Sequence, residues 1–179
     1  MKKTLISVLI VILMIPVALW VGGTLYRERD AWTSSFQLSN ALRNARSVTF
    51  VEFAPAKSGV FVLSRKRATP KEIAQFRSAT GPWFLPFEPT GALCHEPHHY
   101  VEIVRADGAK LTFFVCFLCR NFSFDPSDPN AGGASDLPPL WQKSLSLFFA
   151  SIGMAPKTQD EYSAFYGRDS NEQEVTSQP

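Results

Sequence analysis

The hydrophobic pattern changes period several times along the chain. From Thr4 to Tyr26 apolar residues run without a charge, after Lys2 and Lys3 and before Arg27 and Arg29. That length is enough to cross the hydrocarbon core of a bilayer. Beyond it, Leu38, Ala41, Leu42 and Ala45 recur at helical spacing and predict a helix from about Phe36 to Arg46, with hydroxyls at Thr33, Ser34 and Ser35 placed to cap it. Val48 to Phe53 and Val60 to Ser64 are β-branched and aromatic, and the turn-rich stretch Ala54 to Gly59 between them predicts an antiparallel hairpin. Thr69-Pro70-Lys71-Glu72 has the form of a helix start. Thr69 is the cap, Pro70 sits where its missing N–H costs nothing, and Glu72 completes a capping box. Ile73 and Phe76 then mark the buried face and Gly81-Pro82 the stop.

Trp83 to Phe87 is flanked by prolines and predicts an edge segment or a loop packed on the core. A second hairpin follows, Tyr100 to Arg105 and Lys110 to Phe117, around Asp107-Gly108. Asp-Gly favours a two-residue type I′ turn, in which both central residues have positive φ. Counting outward from that turn pairs Arg105 with Lys110, Ile103 with Thr112, Val101 with Phe114 and His99 with Cys116. His99 and Cys116 are then expected to face each other on one side of the sheet. Phe122 to Phe124 predicts a short extra strand, and Asp125 to Leu137 a loop. Asp136 is placed to cap a helix whose Trp141, Leu145, Phe148, Phe149 and Ile152 form one stripe, ended by Gly153. From Lys157 to Pro179 the chain is polar and acidic and reads as a disordered tail.

Hairpins and helices without βαβ alternation indicate an α+β fold. The expected architecture is an antiparallel sheet of two hairpins, with four or five strands, covered by helices and preceded by one N-terminal transmembrane helix. Residues 1–3 form a cytoplasmic stub, 4–26 the anchor, 33–156 the ectodomain and 157–179 the tail. A cleaved signal peptide, with Val21-Gly22-Gly23 as its processing site, is the competing reading of the N-terminus. The uninterrupted length favours an anchor, as do Trp20, Tyr26 and Trp32 where an interfacial aromatic belt would lie. Lys2 and Lys3 before the span place the ectodomain on the periplasmic or extracellular side of the cytoplasmic membrane, in a single-pass arrangement.

With Lys2 and Lys3 set aside, the 18 basic residues fall to 16, equal to the 16 acidic ones. A neutral ectodomain without a basic stripe argues against nucleic acid, whose binding rests on clustered Lys and Arg. The run Ser64-Arg65-Lys66-Arg67 reads as a solvated strand end. The partners expected are the membrane, through the N-terminal helix, and another envelope protein.

Candidate chemistry is confined to one stretch. All three cysteines and all three histidines lie between Cys94 and Cys119. One reading is a structural zinc site of Cys3His type, with Cys94 and His98 or His99 from the entering arm and Cys116 and Cys119 from the exit strand. Zinc takes four such ligands in a tetrahedron. Strand alternation sends Cys116 and Cys119 to opposite faces unless Phe117-Leu118 bends the chain. A second reading is a disulfide, Cys94 with Cys119, as suits an oxidising compartment. It would contribute about 3 kcal/mol by loop entropy. A third is thiol redox chemistry or metal handling at Cys116-Phe117-Leu118-Cys119, although no helix follows to stabilise a thiolate. Arg120 after the second cysteine rules out c-type haem attachment.

Cys94, Pro97 and His98, within a C-x-x-P-x-H run, precede a hairpin that exits in Cys116-Phe117-x-Cys119, and a Trp-containing helix follows. This combination resembles a group of small uncharacterised bacterial exported proteins. The group carries no assigned activity, so the resemblance implies a family and no substrate. The chain contains no G-x-S-x-G, P-loop or dinucleotide fingerprint. His95-Glu96-Pro97-His98 departs from the zinc-protease motif, which needs two residues between glutamate and second histidine on a helix that Pro97 would break. The sequence therefore points to a binding or scaffold domain and to no enzyme class.

Overall fold

The computed structural model describes residues 29–57, 59–81, 96–124 and 134–166, together with Ile15, Gly22 and Gly23. Helix α1 spans Arg29–Arg43, followed by strands β1 (Ala45–Ala56) and β2 (Gly59–Arg67) and helix α2 (Pro70–Ala79). Strands β3 (His99–Arg105), β4 (Lys110–Cys116), β5 (Asn121–Phe124) and β6 (Ser135–Asp136) lead to helices α3 (Pro139–Ser151) and α4 (Gln159–Ser163). The fold is α+β. Its antiparallel sheet has six strands in the order β2-β1-β3-β4-β5-β6. The two hairpins expected from the sequence supply its first four strands, with β2 at one edge, and β5 and β6 extend it beyond β4. Among the described residues no helix is long and apolar enough to cross a membrane. The expected anchor falls on residues 4–26, of which only Ile15, Gly22 and Gly23 are described.

Alternation decides which face of the sheet is covered. Val48, Phe50, Val101, Ile103, Phe113, Val115, Phe122 and Phe124 point to one side, where Leu38, Ala41 and Leu42 of α1, Phe76 of α2 and Trp141, Leu145, Phe148 and Phe149 of α3 meet them in a single core. Much of this core is aromatic. Phe50 lies edge-on to Phe76 at 5.5 Å and to Phe148 at 5.0 Å, and Phe113 lies 6.2 Å from Phe76. Edge-to-face pairs of this kind add to the stabilisation by apolar burial. The buried Trp141 indole donates to Gly81 O at 2.8 Å, which ties the end of α2 to α3.

Helix boundaries follow local chemistry, with two corrections. The Thr69 and Glu72 capping box of α2 is present in full. The hydroxyls at 33–35 do not cap α1, which begins earlier at Arg29; Ser35 lies inside it and donates to Thr80 O at 3.0 Å. Asp136 does not cap α3 either. It sits in β6, and the N-cap position is Pro138, without a side-chain cap. Gly153 ends α3 with φ 84°, Met154 N–H donating to Phe149 O and Gly153 N–H to Ala150 O, the paired bonds of a Schellman motif.

The hairpin register differs from the expectation by one residue. Val104 pairs with Lys110, Ile103 with Leu111, Val101 with Phe113 and His99 with Val115. Of the turn residues only Gly108 has positive φ, at 84°. Gly108 N–H donates to Arg105 O and Arg105 N–H to Ala109 O. This is a three-residue loop with its left-handed residue at Gly108, not the two-residue type I′ turn. A one-residue slip reverses the facing of every side chain on β4. Cys116 therefore lies on the face opposite His99.

The segment from Lys157 to Tyr166 also departs from expectation. Where polarity suggested a disordered tail, Thr158 and Glu161 form a second capping box, α4 follows, and Tyr162 is 1% exposed.

Two substitutions test this account by chemical unfolding. Phe113→Ala, in the middle of the aromatic core, is expected to cost roughly 3–5 kcal/mol. Thr69→Ala, which removes only the cap of α2, is expected to cost about 1 kcal/mol.

Candidate functional site

The chemistry-bearing residues gather where β1, β3 and β4 end together. The ladder between β1 and β3 sets Glu52 opposite His99, and Phe53 N–H donates to His98 O at 2.9 Å, extending the pairing by one step. Glu52 is 2% exposed, His98 2% and His99 1%. These are polar groups inside a fold, so each must be paired or neutral.

His99 faces the helices. One ring nitrogen, Nε2, lies 2.9 Å from Met154 O, just past the end of α3, and the ring packs 4.6 Å from Phe149 and 5.2 Å from Phe117. Burial pushes its pKa down to about 3; the Met154 carbonyl opposes this, and the Lys157 and His98 charges reinforce it. With Nε2 donating to that carbonyl, the neutral tautomer is the one the site selects.

His98 lies on the opposite face, stacked on the Tyr162 ring at 3.6 Å and 7°. Neither of its ring nitrogens reaches a partner at hydrogen-bonding geometry among the described residues. Burial lowers its pKa, with the Phe53 backbone and the Glu96 charge acting the other way.

Lys157 and Tyr162 close this end of the sheet. Lys157 Nζ forms an ion pair with Glu52 Oε1, and its backbone N–H donates to the Tyr162 hydroxyl at 3.3 Å. The same ammonium lies 5.9 Å from the Tyr162 ring centre. Burial pushes the Tyr162 hydroxyl well above its ordinary range, the Lys157 backbone opposing and the Glu52 carboxylate adding to the shift. α4 is thus held by an ion pair to β1 and by an imidazole–phenol stack, with Phe165 stacked on Phe61 of β2 at 5.6 Å.

The cysteines meet at the β4–β5 turn. β4 ends at Cys116, residues 117–120 turn, and Cys119 N–H donates to Cys116 Sγ at 3.1 Å. Arg120 adopts φ 52°, a left-handed conformation uncommon for a residue with a side chain, and this returns the chain into β5. The bend needed to bring Cys116 and Cys119 together is therefore present. Cys116 is a free, fully buried thiol, and Cys119 is disulfide-bonded. Burial raises the Cys116 pKa against the backbone N–H groups of Cys119, Glu96 and Leu118, which lower it.

Of the five proposed ligands, the described residues bring Cys116 and Cys119 together and set His98 and His99 on opposite faces. Cys94 lies outside the described residues. Among those described, no group of three or more His, Cys, Asp or Glu side chains is arranged to hold a metal.

Sequence reasoning missed Glu52, Lys157 and Tyr162. A signal for the last two exists: Thr158-x-x-Glu161 is a capping-box pattern, and Tyr162 and Phe165 after it share one helical face. Glu52 carries none, being one acid in an apolar strand. Comparison of the chain with protein families, curated proteins and solved structures finds no match.

The buried histidines make stability depend on pH, with a definite sign. In the unfolded chain histidine takes up a proton below about pH 6.5, whereas folded His99 resists until about 3. Between those values the unfolded state binds more protons, so stability falls as pH falls. The expected slope is about 1.4 kcal/mol per pH unit for each histidine that titrates only when unfolded. Denaturant titrations from pH 7 to pH 4 check this: His99→Phe should lose less stability over that range than the parent chain. Equal losses would contradict the assignment.

Proposed function

We propose that the chain is a single-pass envelope protein, anchored in the cytoplasmic membrane by residues 4–26, whose outward-facing α+β domain binds or scaffolds other envelope components. The observation that carries a non-enzymatic reading is the state of its most reactive side chains. The Cys116 thiol is buried with a raised pKa, His99 is held neutral against a carbonyl, and Cys119 is already bonded. A nucleophilic thiol needs the reverse, a lowered pKa and access to solvent. The Cys/His cluster is structural in this reading. Because the chain holds three cysteines and Cys116 is free, Cys94 is the proposed partner of Cys119. That bridge ties the segment entering β3 to the turn leaving β4, in keeping with an exported, oxidising location.

A second reading is favoured by one feature, the turn that brings Cys116 and Cys119 together with an N–H on sulfur. Such a turn suits two thiolates on one zinc ion, with Cys94 and His98 or His99 completing the set, or a thiol pair that exchanges disulfides or handles metal. The two readings separate on the full-length chain purified in neutral detergent without reductant. The structural disulfide predicts one titratable thiol per denatured chain, no stoichiometric zinc, and a peptide map linking Cys94 to Cys119. Three thiols with one bound zinc, or a reversible Cys116–Cys119 link, would replace it.

A further inference from the structure

A second region of the molecule is unused by this reading. Between α1 and α2 lies a cavity of about 890 Å³ lined by Gln37, Ser39, Asn40, Arg43, Arg77 and Thr80, among others. Its hydrogen-bonding inventory is unbalanced. Several of the acceptors are spoken for: Thr80 O takes the Ser35 hydroxyl, Gly81 O takes the Trp141 indole, and both the backbone and amide oxygens of Asn40 take Asn44 Nδ2, which leaves the neutral side-chain oxygens of Gln37 and Ser39. The donors are not. Neither Arg43 nor Arg77 makes an ion pair or a hydrogen bond among the described residues, and no described lining residue is acidic. The Asn40 amide nitrogen adds a neutral donor.

We propose that this cavity binds a phosphate ester, with Arg43 and Arg77 as its two anchors. The guanidinium fork matches phosphate oxygens in bidentate geometry, and two such groups without a carboxylate between them favour an anion of more than one charge-bearing oxygen. The volume admits a glycerophosphate-sized group. Phe36, 57% exposed and 5.8 Å from the Trp32 ring, offers apolar surface at the same cavity. α1 follows the proposed anchor directly, so an anionic phospholipid headgroup in the same membrane is the nearest source of such an ester. That source, though not the site itself, rests on the anchored reading.

The test uses the full-length chain in a neutral maltoside detergent, titrated calorimetrically with sodium phosphate, dihexanoyl phosphatidylglycerol and dihexanoyl phosphatidylcholine. Saturable binding of phosphatidylglycerol is expected, weaker for the zwitterionic lipid, falling as salt is raised. Arg43→Gln and Arg77→Gln are each expected to weaken it roughly ten-fold, as loss of a charge-assisted pair implies. The double variant should abolish it with an unchanged melting temperature, since both side chains are exposed. Arg43→Lys, which keeps the charge and loses the fork, should fall between. Binding of inorganic phosphate alone would support the site and assign it a soluble ligand. No saturable binding of phosphate or lipid, or binding indifferent to the double variant, overturns the proposal. Alkaline extraction of cell membranes reports the anchor independently. A chain released by it that still binds phosphate would remove the lipid source and leave the site standing.

Discussion

Strand β1 pairs along both of its edges, with β2 from Thr49 to Ala56 and with β3 from Ala45 to Glu52, so that Thr49 to Glu52 is flanked on both sides, and this double pairing turns two hairpins into a sheet. An isolated hairpin in water buries too little to be stable. Joined through β1, the hairpins present Val48, Phe50, Val101, Ile103, Phe113 and Val115 as one apolar surface wide enough for three helices. The same pairing has a cost at its end. It carries the ladder to Glu52 and His99, so a carboxylate and an imidazole are drawn below the surface with the strands that bear them.

That cost explains the C-terminal segment. A buried carboxylate left without a partner is strongly unfavourable, and the cation that meets Glu52 arrives from Lys157. The neighbouring imidazole is served by Met154 O, and His98 is covered by Tyr162. Residues 154–162 therefore pair Glu52 and His99 and cover His98. α4, five residues long, could not hold by its own hydrogen bonds, because helix nucleation is unfavourable at that length. It forms because the strand ends need it.

How far the sequence foretold this depends on the range over which each feature is determined. The capping box at Thr69, the Gly153 stop, the buried stripe of α3 and the β1–β2 and β3–β4 hairpins were legible, since each is set by residues within a few positions of one another. The hairpin register was not. Asp107-Gly108 is compatible with two loop lengths, and the longer one puts Phe113 and Val115, not Thr112 and Phe114, on the core face beside Val101 and Ile103. Glu52 was invisible for a related reason. Its partners lie 105 residues away at Lys157 and across a strand at His99, and no local pattern marks a distant ion pair. The polarity of residues 157–166 misled because burial there falls on Tyr162 with Lys157 and Phe165 half-buried around it, too few to shift the mean composition.

The clustering of sulfur and imidazole suggested a shared ligand, and the placement of Cys116 and His99 shows a packing role for these two groups as well. Neutral cysteine behaves as a small hydrophobe and is among the most buried of residues. Neutral histidine in contact with aromatic rings behaves similarly, provided a nitrogen meets a carbonyl. Here Cys116 is fully buried and His99 sits among Phe117 and Phe149 with Nε2 on the Met154 carbonyl, whereas His98 lies against Tyr162 with neither ring nitrogen paired among the described residues. The strand ends need side chains that fill space among aromatics yet tolerate nearby backbone polar groups, as the Cys119 N–H on Cys116 Sγ and the Met154 carbonyl on His99 illustrate. Aliphatic side chains would pack there and leave those two groups unsatisfied. Packing and hydrogen-bond supply at the junction of sheet, turn and terminal helix thus account for where Cys116 and His99 sit.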